Sequence, residues 1–253
     1  MYNISAGHNP SGKVACGAVG LLDESKEARL ITNEIIKLLR LNGYKTYNCT
    51  VSNGKNQKDV LIKICTKHNK RKVIYDISVH LNSGRNDKKG DKKIGGFEIW
   101  ITNPTKDKKN VSGRIRKQMK ELGFTDRGTK TTNSLYFLNH TKSPSLLLEI
   151  CFVDDKDDYN LYKEKGYKEI AIAIVKGLLN RENIYKQRKV KIISKTLKIR
   201  EGAGLTKKKV GKALKGEKYT ITNILYADGI MWGKIKNKKQ YISLNQKYVK
   251  YVD

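Results

Sequence analysis

The stretch Val73–Ser83, VIYDISVHLNS, constrains the folding of this 253-residue chain more than any other. Its first half is apolar and β-branched, as suits a strand buried on both faces of a parallel or mixed sheet. Its second half ends in His80, Leu81, Asn82 and Ser83. The carboxyl ends of strands in open α/β sheets carry the ligand-facing loops, so a histidine there is a candidate functional group. Lys88–Gly96, KKGDKKIGG, follows at once as a glycine- and lysine-rich loop without a core pattern.

A doubly buried strand needs helices and further strands around it, and the flanking sequence supplies them. Met1–Ala6 predicts a short strand that ends at the turn Gly7-His8-Asn9-Pro10. Asp23 is placed to cap a helix in which Ala28, Ile31, Ile35, Leu38 and Leu39 recur at helical spacing and which Gly43 closes. Glu24 falls in its first turn, where an acid also complements the helix dipole. Tyr44–Val51 reads as a strand and Lys58–Asn69 as a helix with Val60, Leu61 and Ile64 inward; His68, in a Lys-His-Asn-Lys-Arg run, reads as solvated. Phe97–Thr102 predicts a strand, Asn110–Leu122 a helix, Ser134–Leu138 and Leu146–Val153 strands, and Tyr167–Leu179 a last helix. Asp154, Asp155, Asp157 and Asp158 lack the spacing of a calcium loop and read as helix-start caps. This alternation predicts an α/β domain over residues 1–180, a mixed, mostly parallel sheet flanked by helices.

The pattern changes at 181–189, a polar and charged stretch that reads as a linker. From 190 to 253 only short strand patterns remain, separated by glycine and lysine turns, which predicts a small all-β barrel or sandwich. Charge sharpens the division. The chain carries a formal +29, and residues 181–253 hold 20 lysines and arginines against five acids, a net of +15. Basicity on this scale implies an anionic partner. No run of 18 apolar residues is present to span a membrane. Cys16, Cys49, Cys65 and Cys151 form no Cys-x-x-Cys pair and read as reduced, small core residues.

The chemistry-bearing candidates are His8, Glu24, His80 and Glu149. Glu149 interrupts the apolar run LLLEICFV, and a carboxylate in a buried strand is costly unless it is paired or lies near a cation. A structural salt bridge is the bland alternative to a functional acid. Two imidazoles and a carboxylate, His8, His80 and Glu24, form a ligand set for one Zn2+ ion that leaves a fourth position for water. Such an ion lowers the pKa of its water to about 7. Glu149 is then placed to hold that water and pass its proton to a leaving amine.

Gly7-His8-Asn9, Glu24 sixteen positions on from His8, His80-Leu81-Asn82 and Leu148-Glu149 with Phe152 resemble the zinc-dependent N-acetylmuramoyl-L-alanine amidase family, amidase_3, of autolysins and endolysins. Arg127-Gly128 followed by Leu135-Tyr136-Phe137-Leu138 and Pro144 fits the same pattern, and the resemblance covers residues 1 to about 180. It implies zinc on His8, Glu24 and His80, catalysis by Glu149, and cleavage of the amide between N-acetylmuramic acid and L-alanine. Asn82 is a candidate substrate contact. Glu27, one turn from Glu24, is the rival third ligand, and Cys151 departs from the small residue usual in the family.

Leu197–Gly202, Val210–Glu217, Trp232-Gly233-Lys234-Ile235 and Tyr241-Ile242-Ser243 resemble a bacterial SH3-type wall-binding domain. Trp232, Tyr226 and Tyr241 are its candidate contacts to an anionic, peptide-bearing polymer. The chain is expected to be a peptidoglycan hydrolase of endolysin type, with peptidoglycan and anionic wall polymers as partners and neither nucleic acid nor membrane insertion. Because MYNISAGHNPSGK lacks a charged-then-apolar signal pattern, it is expected to be made in the bacterial cytoplasm and to reach the wall after release. Two rivals stand beside this expectation: a zinc peptidase acting within the wall peptide, and a non-catalytic basic protein that binds nucleic acid with salt-sensitive affinity.

Overall fold

In a computed structural model that describes residues 1–182, 184, 188–228 and 230–252, with the side chain of Tyr226 excepted, the apolar runs of the first 180 residues become one six-stranded sheet. The elements are β1 (Tyr2–Ala6), α1 (Glu24–Leu41), β2 (Thr46–Asn48), α2 (Gln57–His68), β3 (Tyr75–Asn82), β4 (Phe97–Ile101), α3 (Lys106–Glu121), β5 (Asp126–Thr131), α4 (Tyr136–His140), β6 (Ser145–Phe152) and α5 (Lys156–Leu179). The strand order is β2-β1-β3-β6-β4-β5. Every neighbouring pair is parallel except β4 with β6. The expected mixed, mostly parallel sheet with helical cover is therefore the one found.

Register places the functional row. β3 and β6 align Ser78 with Leu147 and His80 with Glu149, and β4 adds Glu98 opposite Glu149. Because side chains alternate between the faces of a sheet, His80, Glu149 and Glu98 share one face. Leu147 shares it too and packs there with Val60 and Ile64 of α2 and Phe137 and Leu138 of α4. Slipping β6 by one residue would carry Glu149 to the other face. The β3–β6 register shifts once, between His80 and Asn82, at the carboxyl end where chemistry is carried.

Several expectations need correction. Ser134–Leu138 is not a strand; Tyr136–His140 forms a short helix instead, and the edge strand is Asp126–Thr131, whose alternating polar residues hid it. The last helix begins at Lys156, eleven residues early, and carries a break at Gly166 (φ 70°, ψ 159°) that hid its first half from a helical-period search. Asp155 caps it by accepting from the Asp157 and Asp158 amides, as expected of that aspartate run. The strand expected over Tyr44–Val51 shrinks to Thr46–Asn48. Cys49, Cys65 and Cys151 are buried and unpaired, but Cys16 is only half-buried in a loop.

His68 is the largest surprise. It is fully buried, because it continues the four-residue spacing of Val60 and Ile64 on the inner face of α2. Its Nδ1 lies 2.8 Å from Asp76 Oδ1 and its Nε2 3.0 Å from Ser5 Oγ, while Asn3 Nδ2 donates to the same Asp76 oxygen at 2.8 Å. A lysine-rich neighbourhood concealed a polar network that ties β1, β3 and α2.

A second sheet, all antiparallel, follows. Its strands are β7 (Arg188–Ile192), β8 (Thr196–Arg200), β9 (Lys209–Leu214), β10 (Lys218–Ala227), β11 (Ile230–Ile235), β12 (Tyr241–Ser243) and β13 (Val249–Val252), in the order β13-β7-β10-β11-β12-β8-β9. Val190, Ile192, Ile221, Ile224, Ile242, Leu244 and Val249 form its core. β9 carries a run of exposed residues and escaped the sequence pattern for that reason. By contact density the chain divides into Met1–Ile36 with Lys45–Ile184 and Lys37–Tyr44 with Tyr185–Asp253. Most of the expected linker, 181–189, lies outside the described residues or in β7.

Replacing Asp76 with alanine should destabilise the first unit by about 2–4 kcal/mol, since His68 and Asn3 would be left with buried, unpaired donors. The denaturant midpoint of the variant measures this; a midpoint equal to that of the parent would show the network to be dispensable.

Candidate active site

Three of the expected residues meet at the carboxyl ends of β1 and β3 and the start of α1. His8 follows β1, His80 closes on it from β3, and Glu24 is the first residue of α1. Their facing atoms form a nearly equilateral triangle: His8 Nε2 to Glu24 Oε1 3.0 Å, His80 Nδ1 to Glu24 Oε1 3.0 Å, and His8 Nε2 to His80 Nδ1 3.1 Å. Bonds of about 2.0–2.1 Å in a tetrahedral zinc site would set neighbouring donors about 3.3 Å apart, a few tenths wider than this triangle. The donor set, two imidazole nitrogens and one carboxylate oxygen, is chemically suited to such an ion. The three residues therefore fit a divalent cation as they stand. Glu27, the rival third ligand, is elsewhere; its carboxylate accepts from the Tyr162 hydroxyl at 2.6 Å.

The surroundings hold each donor in place. His80 Nε2 lies 3.0 Å from Ser78 Oγ, which fixes the ring and directs Nδ1 to the triangle. Glu24 accepts from the amides of Ala18 at 2.8 Å and Leu81 at 3.2 Å. Arg29 donates to the His8 carbonyl at 2.7 Å and to that of Val51 at 2.8 Å, pinning the histidine turn. Gly7 had no evident role in the sequence beyond its turn. A Cβ built on it would stand 1.8 Å from His80 Cε1, so only glycine lets the two histidines approach.

Electrostatics separates the site's carboxylates. Burial acts against ionisation of Glu24, but the hydrogen bonds from His8 and His80 hold its carboxyl well below the usual range. Burial lowers the His80 imidazole against the opposing pull of Glu24. Glu149 goes the other way: burial, then the negative charges of Glu24 and Glu98, push its carboxyl well above the ordinary value, with Lys130 opposing. Its Oε2 is buried and has no hydrogen-bond partner among the described residues.

Glu98, next in the row, is saturated. Its Oε1 accepts from Asn82 Nδ2 at 3.1 Å and Trp100 Nε1 at 3.0 Å; its Oε2 accepts from Arg127 Nε at 2.7 Å and Lys130 Nζ at 2.6 Å. Although burial opposes it, the bonds from Lys130 and Arg127 hold this carboxyl below its ordinary value. Sequence reasoning missed Glu98 and Lys130. The signal was the alternation of FEIWIT, which puts Glu98 in a buried strand as surely as LLLEICFV puts Glu149. Asn82, held by Glu98, lines the pocket with His8, His80, Glu149, Leu61 and Tyr136.

The expected contacts of the second unit are less uniform. Trp232 is buried, 2% exposed, with Nε1 donating to the Ala227 carbonyl at 3.2 Å, and it lines a cavity rather than standing out from the surface. Tyr241 is half-buried, and the side chain of Tyr226 lies outside the described residues.

Comparison with known proteins bears on this site. The family profile described as N-acetylmuramoyl-L-alanine amidase, Amidase_3, matches residues 3–180. The chain is 26% identical to an uncharacterized protein, CPE1502, of Clostridium perfringens strain 13, over 98% of this chain and 78% of that protein. It is 29% identical to the N-acetylmuramoyl-L-alanine amidase CwlM of Bacillus licheniformis, over 72% of this chain and 69% of that one. Among solved structures, the catalytic domain of the CD27L endolysin targeting Clostridia difficile superposes with a TM-score of 0.64 at 26% identity, covering 73% of this chain and 98% of that domain.

Substituting Gly7 with alanine should displace His80 while leaving the fold intact. Zinc content after loading, read by elemental analysis beside a circular dichroism spectrum, should fall, and any hydrolytic rate should drop about a hundredfold, as misplacements near 1 Å can cost. Full zinc binding in that variant would refute the tight approach of the two histidines.

Proposed function

The chain belongs to the N-acetylmuramoyl-L-alanine amidase family, and from that premise we propose that it is a zinc-dependent endolysin that opens the amide between N-acetylmuramic acid and L-alanine in peptidoglycan. The observation that carries this reading is the His8–Glu24–His80 triangle beside a second carboxylate, Glu149, whose Oε2 is unpartnered. A ligand triangle alone would serve a structural metal equally well. A free, buried carboxylate in the same pocket adds a proton carrier.

His8, Glu24 and His80 would hold the zinc, which when bound polarises the scissile carbonyl and acidifies water. Glu149 takes the proton of the attacking water as its oxygen bonds to the carbonyl carbon, and returns that proton to the alanine nitrogen as the C–N bond breaks. The products are a free lactyl carboxylate on the sugar and a free amine on the peptide. A carboxyl whose pKa is raised is, once ionised, the stronger proton acceptor and then holds the proton until the amine needs it, and a cation held by the triangle would favour the ionised form from which it starts. Asn82, fixed by Glu98, presents a polar group at the pocket wall for the peptide backbone, and Leu61 and Tyr136 offer an apolar side to the substrate.

The second unit, residues 190–253, is proposed to be an SH3-like wall-binding domain, supported by its seven antiparallel strands and its share of the +29 charge. Peptidoglycan and anionic wall polymers would be its partners, and the chain would act on the wall after release from the cytoplasm. A peptidase acting within the stem peptide would use similar groups; the new amine identifies which bond is cut, L-alanine for the amidase.

Glu149→Gln keeps size and one carbonyl oxygen but accepts no proton at neutral pH. Zinc should stay bound and the melting temperature should hold or rise, while the amidase rate on purified walls drops by about 10²–10⁴. An undiminished rate with zinc bound would remove Glu149 from the chemistry, and a loss of zinc would make it a ligand instead.

A further inference from the structure

The second unit encloses a cavity of about 310 Å³ whose lining includes Leu197, Lys198, Arg200, Leu205, Trp232 and Tyr248. Arg200 is its unusual member. The side chain is buried, 8% exposed, and its guanidinium lies 5.8 Å from the centroid of the Trp232 ring. Nη1 donates to the Lys207 carbonyl at 2.6 Å, which satisfies a donor without neutralising the charge. Among the described residues no carboxylate lies within ion-pairing distance of Arg200, of Lys198 two residues before it, or of Lys209, its cross-strand partner in β9.

Two acids of this unit accept hydrogen bonds from other groups. Asp228 Oδ2 accepts from the Leu205 amide at 2.6 Å, and Glu217 Oε2 accepts from the Leu214 amide and the Tyr219 hydroxyl. Lys198 and Arg200 both line the cavity, and Lys209 lies across the strand pair from Arg200, where the charge of Lys198 lowers its ammonium below the ordinary value. A buried charge is tolerated when it is paired and hydrogen-bonded. Among the described residues no such partner is found, and a guanidinium presents its remaining donors in the fork that a carboxylate matches.

We propose that this cavity binds the free C-terminal carboxylate of a short peptide, received by the Arg200 guanidinium, with small side chains of the peptide against Leu197, Leu205 and Ile230. The four apolar side chains in its lining, Leu197, Leu205, Ile230 and Trp232, beside Arg200 and the polar Thr196, Ser243 and Asn245, fit a peptide end better than a continuous phosphate polymer, which would engage the exposed lysines instead. On the wall-hydrolase reading, on which the choice of peptide rests, that end belongs to a stem peptide of the wall.

The test uses the full wild-type chain, N-acetyl-D-alanyl-D-alanine, its C-terminal amide, and inorganic phosphate, with binding followed by calorimetry. The acid should bind saturably and the amide at least tenfold more weakly. Arg200→Gln should abolish the preference, and Lys198→Gln, on an exposed side chain, should weaken the acid severalfold with the fold intact. If Arg200→Gln fails to fold, the acid-against-amide comparison and Lys198→Gln decide alone. Equal binding of acid and amide, no binding of either, or displacement by phosphate at lower concentration than the peptide acid would each overturn the proposal. These probes contain no scissile muramoyl amide. A failed amidase reading would therefore appear as a chain inactive on walls with the acid preference intact, and a failed carboxylate site as an active chain without it.

Discussion

Three carboxylates, Glu24, Glu149 and Glu98, converge on one end of a sheet, and the first unit is arranged around the way their repulsion is settled. Each is treated differently. Glu24 faces two imidazoles and two backbone amides and stays ionised. Glu98 takes four donors, two of them cations. Glu149, between them in the strand row, has a buried oxygen with nothing to bind it, so burial and its two negative neighbours favour its protonated form. On the proposed reading, environments that drive neighbouring acids apart in this way would separate their roles: one to ligate, one to orient, one to carry a proton.

The Glu98 cluster also sets the charge beside the site. Arg127 and Lys130 together bring two positive charges to one carboxylate, leaving a net positive edge beside Glu149. Both cations also lie over aromatic rings, Arg127 over Phe152 at 4.8 Å and Lys130 over Trp100 at 5.1 Å. Those contacts limit where the charges can move. The positive edge is therefore held in place beside Glu149 and is less screened than a mobile surface lysine would be.

The ligand triangle was legible in the sequence because its members sit where chain geometry is simple: a strand end, a first helical turn and another strand end. Glu149 was legible because a charge breaks an apolar run. Glu98 has the same signal in FEIWIT but lies in a shorter run, where one acid among five residues weighs less as an exception. His68 was misjudged because its charged neighbours in sequence point away from it on the helix, and only the four-residue period from Val60 through Ile64 told the truth. Gly7 could not be read at all, since its need arises from a ring 73 residues away that sequence spacing does not locate. Trp232, an aromatic in a basic module that suggested a surface contact, is instead buried and lines the cavity beside Arg200. Of the strands that were missed, β5 is wholly polar and nowhere buried and β9 is exposed at all but one position, so both lack the apolar signature on which strand recognition depends.

Stability and chemistry in the first unit are joined through β6. Leu146, Leu148 and Ile150, all fully buried, set which face of the strand is inward-packed on one side, and Leu147 and Glu149 necessarily take the other. The apolar residues that fix the register thereby also fix the carboxylate against His80. A substitution there that merely loosened packing would cost stability, whereas one that shifted the pairing would remove Glu149 from the pocket altogether. The second unit works under a different constraint. Its charges are screened over about 8 Å at physiological ionic strength, so the +15 of residues 181–253 acts chiefly on a ligand already at the surface. Attraction of that kind favours residence on an anionic material without choosing among anions. Selection requires a group held in one geometry out of water, and in this unit Arg200 meets that description.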